Sequence, residues 1–373
     1  MPHTPDSDED DNLDRVPPPK PVHYAEQALL GALLLAPARL ADTGALEAAH
    51  FDNRTHAALF TAIRAIPPPD PDDHAKETTW LNAVLKHARH HAPGLSSSYL
   101  HVLIQFCPRT KHAAAYTSMI RADSTRRMLR GRAERLAATA TDPALPDPVA
   151  HTLAAADALS RVLDDLAGQF TPHPGSLPRT PPPAAITWAC NDEDLDEERF
   201  LLSTATAYPA DVQQMRWLSA EDFRLPLHGA LWQCVTALVH RGDMVDPVTV
   251  LGEAQHRGLL TDTLTPGDLM ALISTPAGSP EYWGERVLQR ALLTRAHAVA
   301  DRITAYADDS ANTPHQLITG SRRALADLNS LRARWSRATA PVPSPARTPA
   351  RSGSAPRAGP PPRPAITASR GHR

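Results

Sequence analysis

The chain reads as an all-α protein: two tandem helical domains, each a small helical head plus an antiparallel α-hairpin, with disordered termini. Three observations predict this. Residues 25–66 align without a gap on residues 197–238, at a constant offset of 172. Glu26, Phe51, His56 and Leu59 recur as Glu198, Phe223, His228 and Leu231, and Leu29-Leu30 and Pro37-Ala38 recur as Leu201-Leu202 and Pro209-Ala210. Solenoid units repeat every ~20–50 residues, so so long a period marks a duplicated domain. The apolar residues of both copies also follow the 3–4 spacing of buried helix faces. Finally, strand signals are missing, with few alternating β-branched runs and no Asn-Gly or Asp-Gly turns between them.

The elements follow in order. Residues 1–22 hold Asp6, Asp8, Glu9, Asp10, Asp11 and Asp14 among prolines, a composition that predicts disorder. The first copy spans 23–170. Its Leu59, Phe60, Ile63 and Ile66 mark one buried helix face. A long helix over about 112–141 and a shorter one over about 148–169 close it, the second started by Asp147-Pro148. Residues 171–194, with Pro172, Pro174, Pro178 and Pro181-Pro182-Pro183, read as a stiff interdomain linker. The second copy spans 195–336. Leu231, Trp232, Val235 and Leu238 repeat the buried face. Asp246-Pro247, Ser279-Pro280 and Thr313-Pro314 each put a capping oxygen before a proline at the first helical position, and Gly258 reads as a helix stop. Its long helices are predicted over about 280–309 and 314–336. The short connections force antiparallel neighbours. Residues 337–373 are Pro, Ala, Arg, Ser and Gly without apolar periodicity, and read as a disordered tail.

Composition narrows the function classes. The net charge is −3, so bulk electrostatics select no partner. Lysine is confined to Lys20, Lys76, Lys86 and Lys111, a bias expected of a GC-rich genome. Cys107, Cys190 and Cys234 are distant and odd in number, which supports neither a zinc ribbon nor a disulfide framework. That usage, an acidic start unlike a signal peptide, and apolar runs too short to cross a bilayer point to the cytoplasm.

Ala25-Glu26-Gln27-Ala28-Leu29-Leu30-Gly31-Ala32-Leu33-Leu34-Leu35, followed by Phe51 and His56-Ala57-Ala58-Leu59-Phe60, resembles the N-terminal domain of DnaB-type replicative helicases. The second copy keeps another part of that pattern: Phe223, His228, Leu231-Trp232, then Gly242-Asp243-Met244-Val245-Asp246-Pro247-Val248-Thr249-Val250 and Gly258-Leu259-Leu260. The first copy has Pro67-Pro68-Pro69-Asp70 and a divergent segment there instead. The resemblance covers about 22–170 and 195–336. It implies an all-α head and hairpin, self-association in which hairpins of neighbouring subunits pair into a collar, and contacts from the collar to primase or loader proteins. In the family, ATP hydrolysis belongs to a separate RecA-like motor. A phosphate-binding loop needs glycines and a lysine followed by Ser or Thr, and none of the four lysines lies in such a setting. The chain is therefore not expected to be an enzyme by itself, and no cofactor is expected.

Each chemically suggestive residue has a plain reading beside the sharp one. Glu26 and Glu198 read as first-turn acids complementing the helix dipole, since no nucleophile or second acid accompanies them. His56 and His228 read as structural, hydrogen-bonded histidines, since a metal or acid–base role needs further ligands at fixed spacing. His87, His90 and His91 lie at helical spacing without Cys, Asp or Glu nearby, and read as a solvated face. Ser96-Ser97-Ser98 has no companion groups. Arg126-Arg127, Arg130, Arg132 and Arg135 read as a solvated face, the alternative being a contact for an acidic partner. In the tail, Arg347, Arg351, Arg357, Arg363 and Arg370 are candidate nucleic-acid contacts through phosphate neutralisation, or else an inert solubilising tail; no aromatic residue there supports base stacking.

No catalytic or metal site is expected. The leading expectation is a non-catalytic, replication-associated scaffold that binds a replicative helicase, a primase or a loader, with its two hairpins pairing inside one chain. The alternatives are a nucleic-acid-binding regulator that oligomerises through the helical domains and contacts DNA with the basic tail, or the collar half of a split helicase.

Overall fold

The first head is built on one nearly all-buried helix, α1 (Pro21–Leu35). Its apolar run leaves no polar stripe, so it sits in the middle of the head. The computed structural model describes residues 19–170, 172, 177–183, 192–261 and 264–340. Around α1 lie α2 (Arg54–Ala65), the short α3 (Pro71–Lys76), α4 (Thr79–Ala88) and α5 (Ser97–Phe106). Asn53 caps α2 by accepting from the Thr55 and His56 N–H groups at 2.8 and 3.2 Å. Gly31 lets α1 and α5 meet backbone to backbone: a Cβ there would lie 2.1 Å from the Leu103 carbonyl oxygen. The divergent Pro67–Asp70 stretch starts α3, whose first turn Asp70 caps. The first hairpin is α6 (Ala113–Thr141) and α7 (Pro148–Ala167), close to the expected spans.

The second copy repeats the plan with α8 (Asp192–Ala207), α9 (Pro209–Val212), α10 (Pro226–Arg241), α11 (Pro247–His256) and α12 (Pro266–Ile273). Its hairpin is α13 (Pro280–Asp308) and α14 (Pro314–Ala338). The capping expectations hold atom by atom. Asp147 accepts from the Ala150 N–H, Asp246 from Val248 and Thr249, Ser279 from Tyr282, and Thr313 from Gln316. Gly242 and Gly258 take positive φ just past the ends of α10 and α11. No strand occurs among the described residues, where Thr261 and Leu264 form an isolated bridge.

The apolar side chains form two separate cores. One belongs to the first head alone, from Val22 to Leu103 with Ala113 and Ile120 of α6. The other joins the outer part of the first hairpin to the whole second copy. In it α6 packs along α13, α7 along α14, and each hairpin closes on itself, so the four helices make one bundle. Arg322 meets Asp164 and Arg332 meets Asp157, so α7 and α14 run antiparallel. Such exposed pairs contribute about 0–1 kcal/mol each. A fully buried leucine such as Leu129, Leu136 or Leu292 contributes about 1.5–3 kcal/mol. The apolar seam therefore holds the bundle and the ion pairs set its register.

The proline-rich stretch departs from a free-standing spacer where it is described. Thr180 Oγ1 donates to Asp309 Oδ2 (2.6 Å) and accepts from Asn312 Nδ2 (2.7 Å), and the Gln316 amide donates to the Leu177 carbonyl (3.3 Å). Gly320 makes room for Pro178: a Cβ there would lie 2.4 Å from the proline ring. This part of the chain is thus fastened to the turn between α13 and α14.

Candidate interaction site

The repeated residues converge on one polar device per head. In the first, Glu26 is the sixth residue of α1 and fully buried, not a first-turn acid. Its Oε2 accepts from His56 Nδ1 at 2.7 Å and its Oε1 from the Asp52 backbone N–H at 2.5 Å. Tyr99 of α5 then donates its hydroxyl to His56 Nε2 at 2.7 Å. A carboxylate on Nδ1 selects the tautomer with the proton there, leaving Nε2 as the acceptor. In the second head Glu198, the seventh residue of α8, accepts from His228 Nδ1 at 2.7 Å and from the Arg224 backbone N–H at 2.6 Å. Glu26 and Glu198 thus tie the first helix of each head to the turn after Phe51 and Phe223 and to the helix carrying the histidine. The helix-dipole reading is corrected for both: by the sixth or seventh position the amide N–H groups already have partners within the helix.

The apolar members of the repeat pack beside this device. Phe51 lies against Phe60 with ring centroids 5.0 Å apart, and Phe223 against Trp232 at 6.0 Å. Leu59 and Leu231 are fully buried. Both His–Glu pairs are buried, and no further carboxylate joins either hydrogen-bond set among the described residues, so each pair acts as a clasp.

The arginine group on α6 also departs from a solvated face. Arg126 reaches across to the second copy and donates to the carbonyl oxygens of Ala307 (2.9 Å), Asp309 (2.7 Å) and Asn312 (2.8 Å). These carbonyls lie at the C-terminal end of α13 and just beyond it, where the helix itself supplies no donors. Arg130 pairs with Asp308 at 2.7 Å beside it. Arg127 instead holds its own head, donating to the His50 carbonyl (2.7 Å) and to Asp123 (2.8 Å). Sequence reasoning missed Arg126 and Tyr99. Only the arginine crowding and the Ser96-capped start of α5 hinted at them.

Other candidates stay apart. His87 lies in the last turn of α4 and packs edge-on with His90, with 6.2 Å between ring centroids, and no group of His, Cys, Asp and Glu suited to a metal occurs among the described residues. Burial pushes the Cys234 thiol up to about 11 and raises Cys107 above its ordinary value, so neither is a thiolate at neutral pH. A cleft of about 810 Å³ lies between α13, α14 and the turn before α10, lined by Arg290, Arg295, Arg334, Asp222 and Asp327. Two of its arginines are engaged, Arg334 by Asp222 and Arg290 by Asp194 and Glu197. A second cleft, of about 540 Å³, opens above His228. Arg347, Arg351, Arg357, Arg363 and Arg370 lie outside the described residues.

A family model described as the DnaB-like helicase N terminal domain matches residues 18–122 and again residues 191–285, more than half of the chain. The chain belongs to this family. Both DnaB matches contain a complete Glu–His clasp and stop early in the long helix that follows the head. The domain is non-catalytic in itself, and the match ties the chain to a collar-like, replication-associated role. No solved structure matches the chain. No helix among the described residues is long and apolar enough to cross a membrane.

Proposed function

We propose that this protein is a non-catalytic scaffold of the replication machinery, a collar element that carries its own hairpin partner and binds a replicative helicase, a primase or a loader in the cytoplasm. The observation that carries this reading is the bundle formed by α6, α7, α13 and α14. In the DnaB family hairpins of neighbouring subunits pair; here the second copy occupies that place within one chain. With the seam filled internally, the heads are left as the surfaces for other proteins. Each head is stiffened by a buried clasp, which suits a docking platform because little ordering remains to be done on binding.

The test has two parts. Light scattering after size exclusion should report a mass near 40.3 kDa, that of one chain. Capture of the tagged full-length protein from its native cell should enrich a replicative helicase, a primase or a loader over a tagged control. Enrichment of none of these overturns the reading.

A further inference from the structure

In the second clasp Arg290 Nη1 also approaches Glu198 Oε1 (3.5 Å), and the two clasps differ further at the outer nitrogen of the histidine. His56 Nε2 is closed by the Tyr99 hydroxyl, whereas His228 Nε2 has no hydrogen-bond partner among the described residues. His228 is nevertheless 1% exposed, and its ring lines the 540 Å³ cleft between α8, α10 and α12. Aligning the N-caps of α5 and α12, Ser96 and Thr265, places Asp268 where the first copy has Tyr99 and Thr275 where it has Phe106. The duplication offset places Asp196 where it has Tyr24. In the first copy Tyr99 stacks on His56 (centroids 6.1 Å apart, planes at 13°) and Tyr24 stacks on Phe106 (5.7 Å, 18°). In the second copy Asp196, Asp268 and Thr275 line the cleft instead, and Asp268 turns back to accept from the Thr265 N–H at 2.9 Å. The cleft thus opens where the aligned positions of the first copy carry the aromatic side chains of Tyr24, Tyr99 and Phe106.

We infer that the His228 cleft is a docking pocket for a tyrosine side chain presented by a partner protein. The first copy shows what fits: a ring stacked on the imidazole with its hydroxyl on Nε2. The tautomer selected by Glu198 leaves Nε2 an acceptor, so the occupant must bring a donor. Phe200, Leu225, Leu227 and Leu272 supply apolar walls, and a cleft of this size with few deep polar groups, His228 and Ser203, is typical of a specific small site. At the walls Asp196 is paired with Arg199 (3.1 Å) and Asp268 is held by Thr265, so the lining offers no unpaired cation to an anionic group and suits a neutral phenol. The inference deepens the scaffold reading and rests on it for the nature of the partner.

The probe is p-cresol, the tyrosine side chain alone, with toluene as its counterpart lacking the hydroxyl. Both are titrated into full-length protein labelled with ¹⁵N-histidine. The His228 ring signals are identified by their absence in His228→Gln. p-Cresol should shift them saturably in the millimolar range expected of so small a fragment, and toluene should bind at least about tenfold more weakly. Asp268→Tyr rebuilds the first copy and should abolish the shift while raising Tm. Ala271→Trp, at an exposed position on the cleft wall, serves if that variant misfolds. An unshifted wild type, an equal response to toluene, or p-cresol binding retained in the filled variants overturns the pocket. Capture from native cells separates the two readings. Loss of the helicase, primase or loader in Asp268→Tyr supports the docking role. Equal capture overturns it while the scaffold stands, and capture of none by wild type overturns the scaffold and the partner assignment together.

Discussion

The two heads share their signature residues yet are built into the molecule differently. The first has a core of its own, and its polar link to α6 runs through Arg127. The second shares its core with the bundle. Met215 and Trp217 explain this. They press onto Gly284 of α13, where a Cβ would lie 2.4 Å from the Met215 methyl carbon. At the duplication offset the first copy has Thr43 and Ala45, which are too small to bridge that gap. Arg334 of α14 then clasps Asp222 from the other side, with one oxygen at 2.8 Å. The difference teaches that a conserved clasp fixes the inside of a head, while a few bulky residues outside the signature decide whether the head is a separate unit or part of the bundle.

The strongest way to break this comparison is to cut both clasps. Glu26→Ala and Glu198→Ala each strand a buried histidine and a backbone N–H, a loss of about 3–5 kcal/mol. Their unfolding should differ in kind. Glu26→Ala should give an early transition of the first head followed by the main one, whereas Glu198→Ala should lower the main transition itself. Calorimetry distinguishes the two, and identical single transitions would remove the distinction between the cores.

Arg126→Ala comes next, at about 2–4 kcal/mol, because three carbonyl oxygens lose a charged donor. Its effect should appear in hydrogen exchange at the C-terminal end of α13, leaving the first head protected. A smaller contrast concerns caps. Asp246→Ala should cost about 1 kcal/mol in urea unfolding, since Asp246 accepts two N–H bonds; Thr78→Ala, at the uncapped start of α4, should fall within about 0.5 kcal/mol of wild type.

The smallest effect is a pH dependence confined to the first head. The turn before Phe51 is closed by His50, whose Nδ1 accepts from the Glu47 N–H at 2.8 Å; the matching turn uses Asp222, which accepts from the Ser219 N–H at 2.7 Å. Burial, with Arg121 and Arg127 nearby, lowers His50 below its ordinary value of 6.5 despite the opposing charge of Glu47. A depressed histidine contributes stability that is full above 6.5 and is lost as pH falls through its lowered folded value. Between those limits the first head should loosen before the second. Amide exchange at Leu46–Phe51 against Leu218–Phe223 measures this, and His50→Gln should remove it.

Much of the fold was legible because its signals are local. Proline after Asp147, Asp246, Ser279 and Thr313 sets helix starts, and the spacing of Leu288, Leu292, Val299 and Ile303 sets a buried face, both within a few residues of chain. The site was less legible because its bonds span distance. Glu26 reads as a terminal acid until His56, thirty residues on, is seen beneath it, and Arg126 reads as solvated until α13 arrives from more than 180 residues away. A charged residue's surroundings are set by whatever packs against it, which period and composition do not encode.

By itself the sequence determined that this protein is all-helical, duplicated and built from the DnaB collar pattern, since periodicity, caps and repeats are properties of neighbouring residues. Only the tertiary structure decided that the hairpins pair within one chain, that Arg126 closes the end of α13, and that one histidine is sealed while its counterpart opens on a cleft. Those outcomes depend on which apolar faces find each other and on which side chains are large enough to fill the space between them, quantities that exist only once the chain is folded.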